Sequence, residues 1–458
     1  MQKRLLIVLG IIIVYRLLAH IPVPLAEPAQ LKDVINSIVS SNSFGGFLNL
    51  LSGGALANVS IMIVGLGPYI TASIVMQLLT KAVPRMEELH KDGESGRRRI
   101  NQWTRMLTLP LAIIQSIAFI FILQQTQLAP NSTVDIAASA DAMQWILMVG
   151  ALTSGAMLLM WLGELITEQG VGNGMSLLIF AGIISQLPQT LGTIVSSVTN
   201  VTSDADKLNL FGLLLPINGF IFWLLLVVLL VAILALYIIV KINEAQRIIT
   251  INYAKRVQGN RACGGVQSIL PVKLITAGVV PVIFAVAFLS LPAFIGQILK
   301  LNTDPYWQGV GQNLITWFQT PQFSGLTFAT WESFIYPVSY FVLVVLFTYF
   351  YTNIVFNSAD IAENLQKQGG FISDVRPGAQ TEKYLSRMVN RLTLFGSFAL
   401  GIIAILPFAT EYIFAIVGVN AQNLAIGGTG LLIVVTVSIE TLRQINSRAL
   451  MVTYDQDY

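Results

Sequence analysis

Gly65-Leu66-Gly67-Pro68-Tyr69-Ile70 and Gly278-Val279-Val280-Pro281-Val282-Ile283 share one pattern, Gly-x-x-Pro-x-Ile, each near the start of a long apolar stretch. The two stretches are five spans apart. An odd offset gives two halves of opposite orientation, the arrangement of an inverted repeat with its working site at the junction between the halves. Proline inside a membrane helix frees a backbone carbonyl, so both prolines are expected as kinks that face inward. Glycine and proline are common in membrane helices, and this echo therefore needs support from the rest of the chain.

Composition supplies part of that support. Of 458 residues, 55% are apolar and 11% are Asp, Glu, Lys or Arg, against roughly 25% charged in ordinary soluble domains. With a mean hydropathy of +0.72, a water-soluble fold of this size is excluded, because most of the surface must face lipid. One cysteine, Cys263, allows no internal disulfide, and two histidines, His20 and His90, cannot assemble a Cys/His metal cluster. No metal and no cofactor are expected.

Ten apolar stretches approach the roughly 20 residues a spanning helix needs. They start near Leu5, Val59, Met106, Met143, Met175, Phe211, Val272, Phe334, Leu392 and Leu424. The sixth, Phe211 to Val240, is long enough to tilt steeply. Allocating bases to alternating sides from a cytoplasmic amino terminus puts 22 of the 26 Lys and Arg inside and only Lys32, Lys207 and Lys300 outside, with Arg16 within the first span. Both termini are thus expected in the cytoplasm. Ala19-His20-Ile21-Pro22 runs on into a proline-rich loop without a small-residue cleavage site, so the first span is expected to stay as an integral helix.

Before the second span, the uncharged segment Phe44 to Leu56 would be only about 20 Å long as a helix. That cannot cross a hydrocarbon core of roughly 30 Å. Glycine pairs flank it (Gly45-Gly46, Gly53-Gly54) and Asn49 and Ser52 lie inside. It reads either as a re-entrant plug lodged in a cavity or as an interfacial helix on the outer leaflet.

The spans carry little chemistry. Intramembrane catalysis or ion coupling places ionisable groups at the midplane, where they are costly unless they work. Glu164 sits at the inner end of the fourth span, where a solvated terminus accounts for it, and Arg16 and His20 lie where side chains can snorkel. HExxH, GxSxG and Walker signatures are absent. No enzyme is expected. What remains is a passive path closed by branched aliphatics, which exclude water without binding what passes and deform around a varied cargo. For any one Ile or Leu, ordinary helix packing is the competing explanation.

Two long inner loops, Lys241 to Lys273 and Phe356 to Arg391, carry six and five bases. Their composition suits a polyanionic partner, although positive-inside sorting also places charge there. About 30 residues far exceeds a usual helix connection.

With these residues in view, the sequence resembles the SecY family of the bacterial Sec translocase, from about Arg4 to about Asn446. The likeness is carried by Leu50-Leu51-Ser52-Gly53-Gly54-Ala55-Leu56, Gly93-Glu94-Ser95-Gly96-Arg97-Arg98-Arg99-Ile100, Met160-Trp161-Leu162-Gly163-Glu164 through Gly172-Asn173-Gly174, Asn252-Tyr253-Ala254-Lys255-Arg256, Arg376-Pro377-Gly378 and Gly427-Gly428-Thr429. The resemblance implies an all-α polytopic membrane protein of ten transmembrane helices in two inverted five-helix halves, 1–200 and 201–458, with a re-entrant plug at about 44–58. It implies a protein-conducting channel that passes unfolded secretory polypeptides and releases transmembrane segments laterally into lipid.

The pore ring implied by the family falls on Leu66, Ile70, Ile179, Ile283 and Ile433, with Met175 a contributor. The plug falls on Phe44, Phe47, Leu48, Leu51, Ser52, Gly53, Gly54 and Leu56. The lateral gate falls on the second and third spans facing the seventh and eighth. Docking of a cytosolic partner falls on Arg247, Lys255, Arg256, Arg261 and Arg376. The implied partners are the SecE and SecG membrane subunits, the SecA motor, the ribosome through its rRNA phosphates, signal peptides and nascent chains, and membrane lipids. The implied location is the bacterial cytoplasmic (inner) membrane.

This sequence departs from the family's pattern in several places. The cytosolic amphipathic segment at the amino terminus is short, which reduces one docking surface for SecE. Ile248 stands where a second arginine usually follows Gln246-Arg247, and Gln169 replaces a base. Ile275 occupies a site that is often Asn, so the polar latch of the lateral gate is expected to weaken or move to Thr276. Gly67 replaces a bulkier residue beside Pro68. Two other functions compete: a small-solute transporter, which needs a polar midplane site, and a scaffold with no conducting path.

Overall fold

The computed structural model describes residues 2–23, 60–126, 142–199, 207–210, 213–253, 256–258, 261–263, 267–300, 304–318, 331–416 and 428–456. Among them, ten helices have 16 or more residues. In chain order the helices are α1 (Gln2–Leu18), α2 (Gly67–Ala82), the short α3 (Pro84–Lys91), α4 (Glu94–Thr126), α5 (Ala142–Gln169), α6 (Gly174–Thr199) and α7 (Gly219–Glu244). There follow α8 (Val280–Lys300), α9 (Pro305–Phe318), α10 (Ile335–Val355), α11 (Ser358–Lys367), α12 (Ala379–Ile416) and α13 (Gly428–Gln456). Six of the helical segments are long and apolar enough to cross a membrane on their own.

The echoed motif builds the same device twice. Gly65 and Gly278 both adopt positive φ, 62° and 64°. Each is the last residue but one in a run of turns, and three residues later Pro68 or Pro281 sits in the first turn of α2 or α8. The prolines are therefore not kinks within a span, as expected from the sequence, but starters of one. A first-turn proline lacks an N–H that would have had no helical acceptor anyway, and its ring fixes φ near the helical value. Ile70 N–H then donates to Leu66 O at 3.0 Å, and Ile283 N–H to Val279 O at 3.3 Å, so both helices wind from the residue after the left-handed glycine.

The turns before α2 are tied down from two sides. Ser60 Oγ donates to Leu18 O at 3.0 Å and accepts from Met62 N–H at 3.2 Å, which joins them to the end of α1. Gly155 of α5 lies so close to the Ile61 carbonyl that a Cβ there would collide with it. Irregular backbone at this depth is tolerated because protein, not lipid, surrounds it.

The sixth span starts later than its hydropathy suggests. Strands β1 (Lys207–Leu210) and β2 (Leu213–Asn218) pair antiparallel, and α7 begins only at Gly219, with Asn218 Oδ1 accepting from Ile221 N–H at 3.3 Å. An Asn N-cap satisfies one of the orphan donors and so sets this boundary.

The two long basic loops are one body. Strand β3 (Gln246–Tyr253) pairs antiparallel with β6 (Gln267–Lys273) on one side and β7 (Gly370–Ile372) on the other, while β4 (Arg256–Gln258) and β5 (Arg261–Cys263) form a separate hairpin between them. Period-two alternation turns Ile249 and Ile251 inward. Ile249, Val272 and Ile372 then pack on Leu385, Met388 and Val389 at the start of α12. The candidate spans among the described residues are helical, and strands β3, β6 and β7 form a body apart from them.

Candidate functional site: a buried aliphatic cluster beside a charged cavity

Leu66 and Ile70 of the α2 region, Ile179 of α6, Ile283 of α8 and Ile433 of α13 all belong to one buried cluster, none more than 8% exposed. Met175 packs against it from the first turn of α6. All five aliphatics face inward, and they come from four helices spread over both halves of the chain. Apolar burial is not what drives helices together in lipid, which is as apolar as leucine. What the five share is burial in that one apolar cluster, which holds many other side chains as well.

The left-handed glycines lead into the helices that place two of these residues in that cluster. In each copy of the motif the terminal Ile is two residues past the proline, and the first-turn geometry holds both Ile70 and Ile283 in the cluster. Helix α8 contacts both α2 and α4. These are the elements expected to flank the lateral gate.

The residue expected as a relocated polar latch does not reach across that seam: Thr276 Oγ1 lies 3.3 Å from Thr352 Oγ1 of α10, within the carboxy-terminal half. Ile275 is buried in the central cluster. Gly67 leaves room for Gln115 of α4, whose Oε1 lies 3.3 Å from where a Cβ would stand. A small residue on one helix is thus matched by an amide from the next.

Beside the cluster opens a cavity of about 570 Å³, lined among others by Tyr69, Arg105, Glu164, Asn173, Glu440 and Arg448. Arg105 Nε donates to Glu164 Oε1 at 2.7 Å and ties α4 to α5. Glu164 is therefore not a free terminus but half of an ion pair, its side chain 18% exposed against 48% for the arginine. The α5–α6 corner closes one wall. Asn173 Oδ1 accepts from Met175 and Ser176 N–H, while Thr167 Oγ1 accepts from Gly174 N–H at 2.9 Å and donates to Gly163 O. The Gly172-Asn173-Gly174 turn is thus a helix cap. Arg448 of α13 packs its guanidinium on Gly170, so the wall is shared by the two halves.

The sequence pointed to Glu164 but not to its partner or to Glu440 and Arg448. The only available signal was the rarity of carboxylates near the spans. A second link between helices also went unread: Asn243 Nδ2 donates to Thr436 Oγ1 at 3.1 Å, joining α7 to α13.

Of the docking residues, Arg247 is exposed on β3 and Arg376 is exposed in the turn that leads from β7 to α12. That turn carries Asp374 at φ 64° and Gly378 at φ 95°, and Thr381 Oγ1 donates to Arg376 O at 2.9 Å. Asn252 Nδ2 donates to Ser373 Oγ at 2.9 Å, which holds the turn against β3. Ile248, beside Arg247, is 54% exposed, so this departure replaces a surface cation by an apolar side chain. Arg256 and Arg261 lie in β4 and β5. Lys255 and the plug residues Phe44, Phe47, Leu48, Leu51, Ser52, Gly53, Gly54 and Leu56 lie outside the described residues.

At the foot of this body, burial lowers the pKa of the Lys273 ammonium, Arg443 lowers it further and Glu440 opposes them.

A family model described as SecY matches residues 60–442. The chain is 38% identical to the protein translocase subunit SecY of Corynebacterium glutamicum over 463 aligned residues, covering 99% of this chain and 96% of that one. It is 37% identical to the subunit of the same name from Streptomyces coelicolor, with the same coverage of both chains over 458 residues. Among solved structures, it superposes on a protein-conducting channel with a TM-score of 0.59 at 17% identity, covering 95% of this chain and 91% of the other. A Sec61 structure from a canine ribosome–channel complex superposes with a TM-score of 0.55 at 17% identity, with the same coverage.

Proposed function

We propose, from the premise that this chain belongs to the SecY family, that Leu66, Ile70, Ile179, Ile283 and Ile433 are the ring through which it passes unfolded polypeptide. The chain is a multi-pass membrane protein and the protein-conducting subunit of a translocase; its work is passage, not catalysis. The observation that supports the ring is the burial of these five branched aliphatics, from four helical regions, in one apolar cluster near a charged cavity. Such a collar holds no hydrogen-bonding groups, so it closes by dewetting and yields to side chains of any kind.

In this reading residues 1–200 and 201–458 are two inverted halves, and 44–58 plug the collar from outside. The seam of α2 and α4 against α8 and α10 opens sideways to release apolar segments. The sheet of β3, β6 and β7 stands in the cytoplasm with both termini, and the membrane is the bacterial cytoplasmic one. Arg247 and Arg376, both exposed on that one body, suit a partner that supplies the energy: the SecA motor, or a ribosome met through its rRNA phosphates. SecE and SecG are the membrane partners.

The test is crosslinking. In a Cys263→Ser background, Ile70→Cys or Ile283→Cys should form an adduct with a cysteine in a secretory chain stalled in transit. A cysteine at Leu234, 54% exposed on α7, should give none. Adducts from Leu234 alone would remove the ring from the path.

A further inference from the structure

Helix α12 carries on one face the series Lys383, Arg387, Arg391, Leu394 and Phe398, spaced by three or four residues. The three cations are exposed, and so are Leu394 and Phe398. The face thus changes from cationic to apolar within one helical turn. A cavity of about 650 Å³ lies at the change, lined by Tyr349 of α10 together with Lys383, Arg387, Asn390, Arg391 and Leu394. Its one carboxylate is Glu382. No ion pair among the described residues engages the three cations.

Tyr349 fixes the floor of this cavity, since its hydroxyl donates to Asn390 O at 3.5 Å and braces α10 against α12. Below it, Val342 and Leu346 of α10 are exposed, and Phe341 packs edge-on against Phe398 at 5.6 Å. The result is an open furrow between two spans, apolar along its length and closed at one end by three cations and a tyrosine.

We propose that this furrow binds an anionic phospholipid, with the phosphate against Lys383, Arg387 and Arg391 and an acyl chain laid along Val342, Leu346, Leu394 and Phe398. Charge complementarity selects an anion. The apolar continuation selects one that carries a hydrocarbon chain, which a free phosphate lacks. A tyrosine at the boundary is the residue that suits headgroup depth. The proposal rests on α10 and α12 being membrane spans and not on the aliphatic ring.

The full chain, with Leu346→Trp as reporter, is reconstituted in vesicles of mixed phosphatidylglycerol and phosphatidylcholine in which one or the other lipid carries bromine on its acyl chains. Quenching beyond that of the parent chain should be stronger from brominated phosphatidylglycerol. Arg387→Gln with Arg391→Gln should lower that preference by about tenfold or more, since each cation near an anionic surface accounts for about fivefold in binding. Native mass spectrometry of the detergent-purified chain should show retained phosphatidylglycerol that inorganic phosphate does not displace. The same two substitutions should remove it while the elution volume stays unchanged.

Equal quenching by both lipids would overturn the proposal and leave the cations to topology alone. So would displacement of the lipid by phosphate. Loss of binding to a soluble translocation partner in lipid-free detergent, with the lipid preference intact, would make this face a protein-docking surface instead. Crosslinking at Ile70 is unaffected by any of these results, so failure here is separable from failure of the ring.

Discussion

Gly65 and Gly278 hold the same left-handed backbone, φ 62° and 64°, each three residues ahead of the proline that opens a span. The two turns lead into the helices that place Ile70 and Ile283 in the same buried cluster. Alanine at either site meets a backbone penalty of about 1–2 kcal/mol. At Gly278 the penalty is not one of space, because a Cβ there would stand 3.6 Å from Glu440 Oε2, an ordinary contact. Gly65→Ala and Gly278→Ala should therefore each lower the midpoint of thermal unfolding in detergent. Gly192→Ala, in α6 with nothing near its Cβ direction, should leave it unchanged or raise it.

The ring predicts a leak. Ile433→Asn places an amide among side chains that offer it no partner, so water is drawn in to satisfy it. Planar-bilayer conductance at rest should rise for Ile433→Asn and for Ile283→Asn, and stay at the parent level for Ile433→Val. An unchanged baseline in both Asn variants would mean that the seal lies elsewhere.

The Arg105–Glu164 pair should be a modest clamp. With the arginine half exposed, its coupling in a double-mutant cycle of Arg105→Gln and Glu164→Gln is expected at about 0.5–1 kcal/mol. Thermal unfolding of the four proteins measures it, and additive losses would show that the pair does not tie α4 to α5.

Lys273 should lose its proton at lower pH than the same lysine in the unfolded chain. Between those two values the unfolded state binds more protons, so stability rises with pH across that window as the cost of the buried ammonium is relieved. Competitive acetylation as a function of pH reads the value directly. Glu440→Gln should lower it further by removing the opposing carboxylate, and Arg443→Gln should raise it. The reverse order would place these neighbours wrongly.

Arg376→Glu reverses a charge in the exposed turn before α12, and at low salt it should weaken binding of a motor or ribosome. Equal binding in a sedimentation assay would leave that arginine to topology.

Much of this was legible in one dimension. Hydropathy located the apolar stretches, although the helices of the second, sixth and seventh start eight residues later than those stretches do, and the repeated Gly-x-x-Pro-x-Ile marked the starts of two helices. The misreadings were local. Proline was read as a kink because its neighbours are apolar on both sides, whereas a left-handed glycine three residues earlier turns the same proline into a first-turn residue. The sixth span was begun at Phe211 because β2 is as apolar as the helix it precedes.

Composition and spacing determined that the chain lies in lipid, that one Gly-x-x-Pro-x-Ile pattern opens two of its helices, and that it offers little ionisable chemistry within its apolar stretches. These are sums over residues, which need no partner to be evaluated. Only the tertiary structure decided that two loops more than a hundred residues apart are one sheet, that Glu164 belongs to Arg105, and that Ile179 and Ile433 share a buried cluster with Ile70 and Ile283. Each of those facts is a pairing between distant segments. A pairing depends on how backbones approach, down to the missing Cβ of Gly155 beside the Ile61 carbonyl, and no single stretch of sequence holds both sides of it.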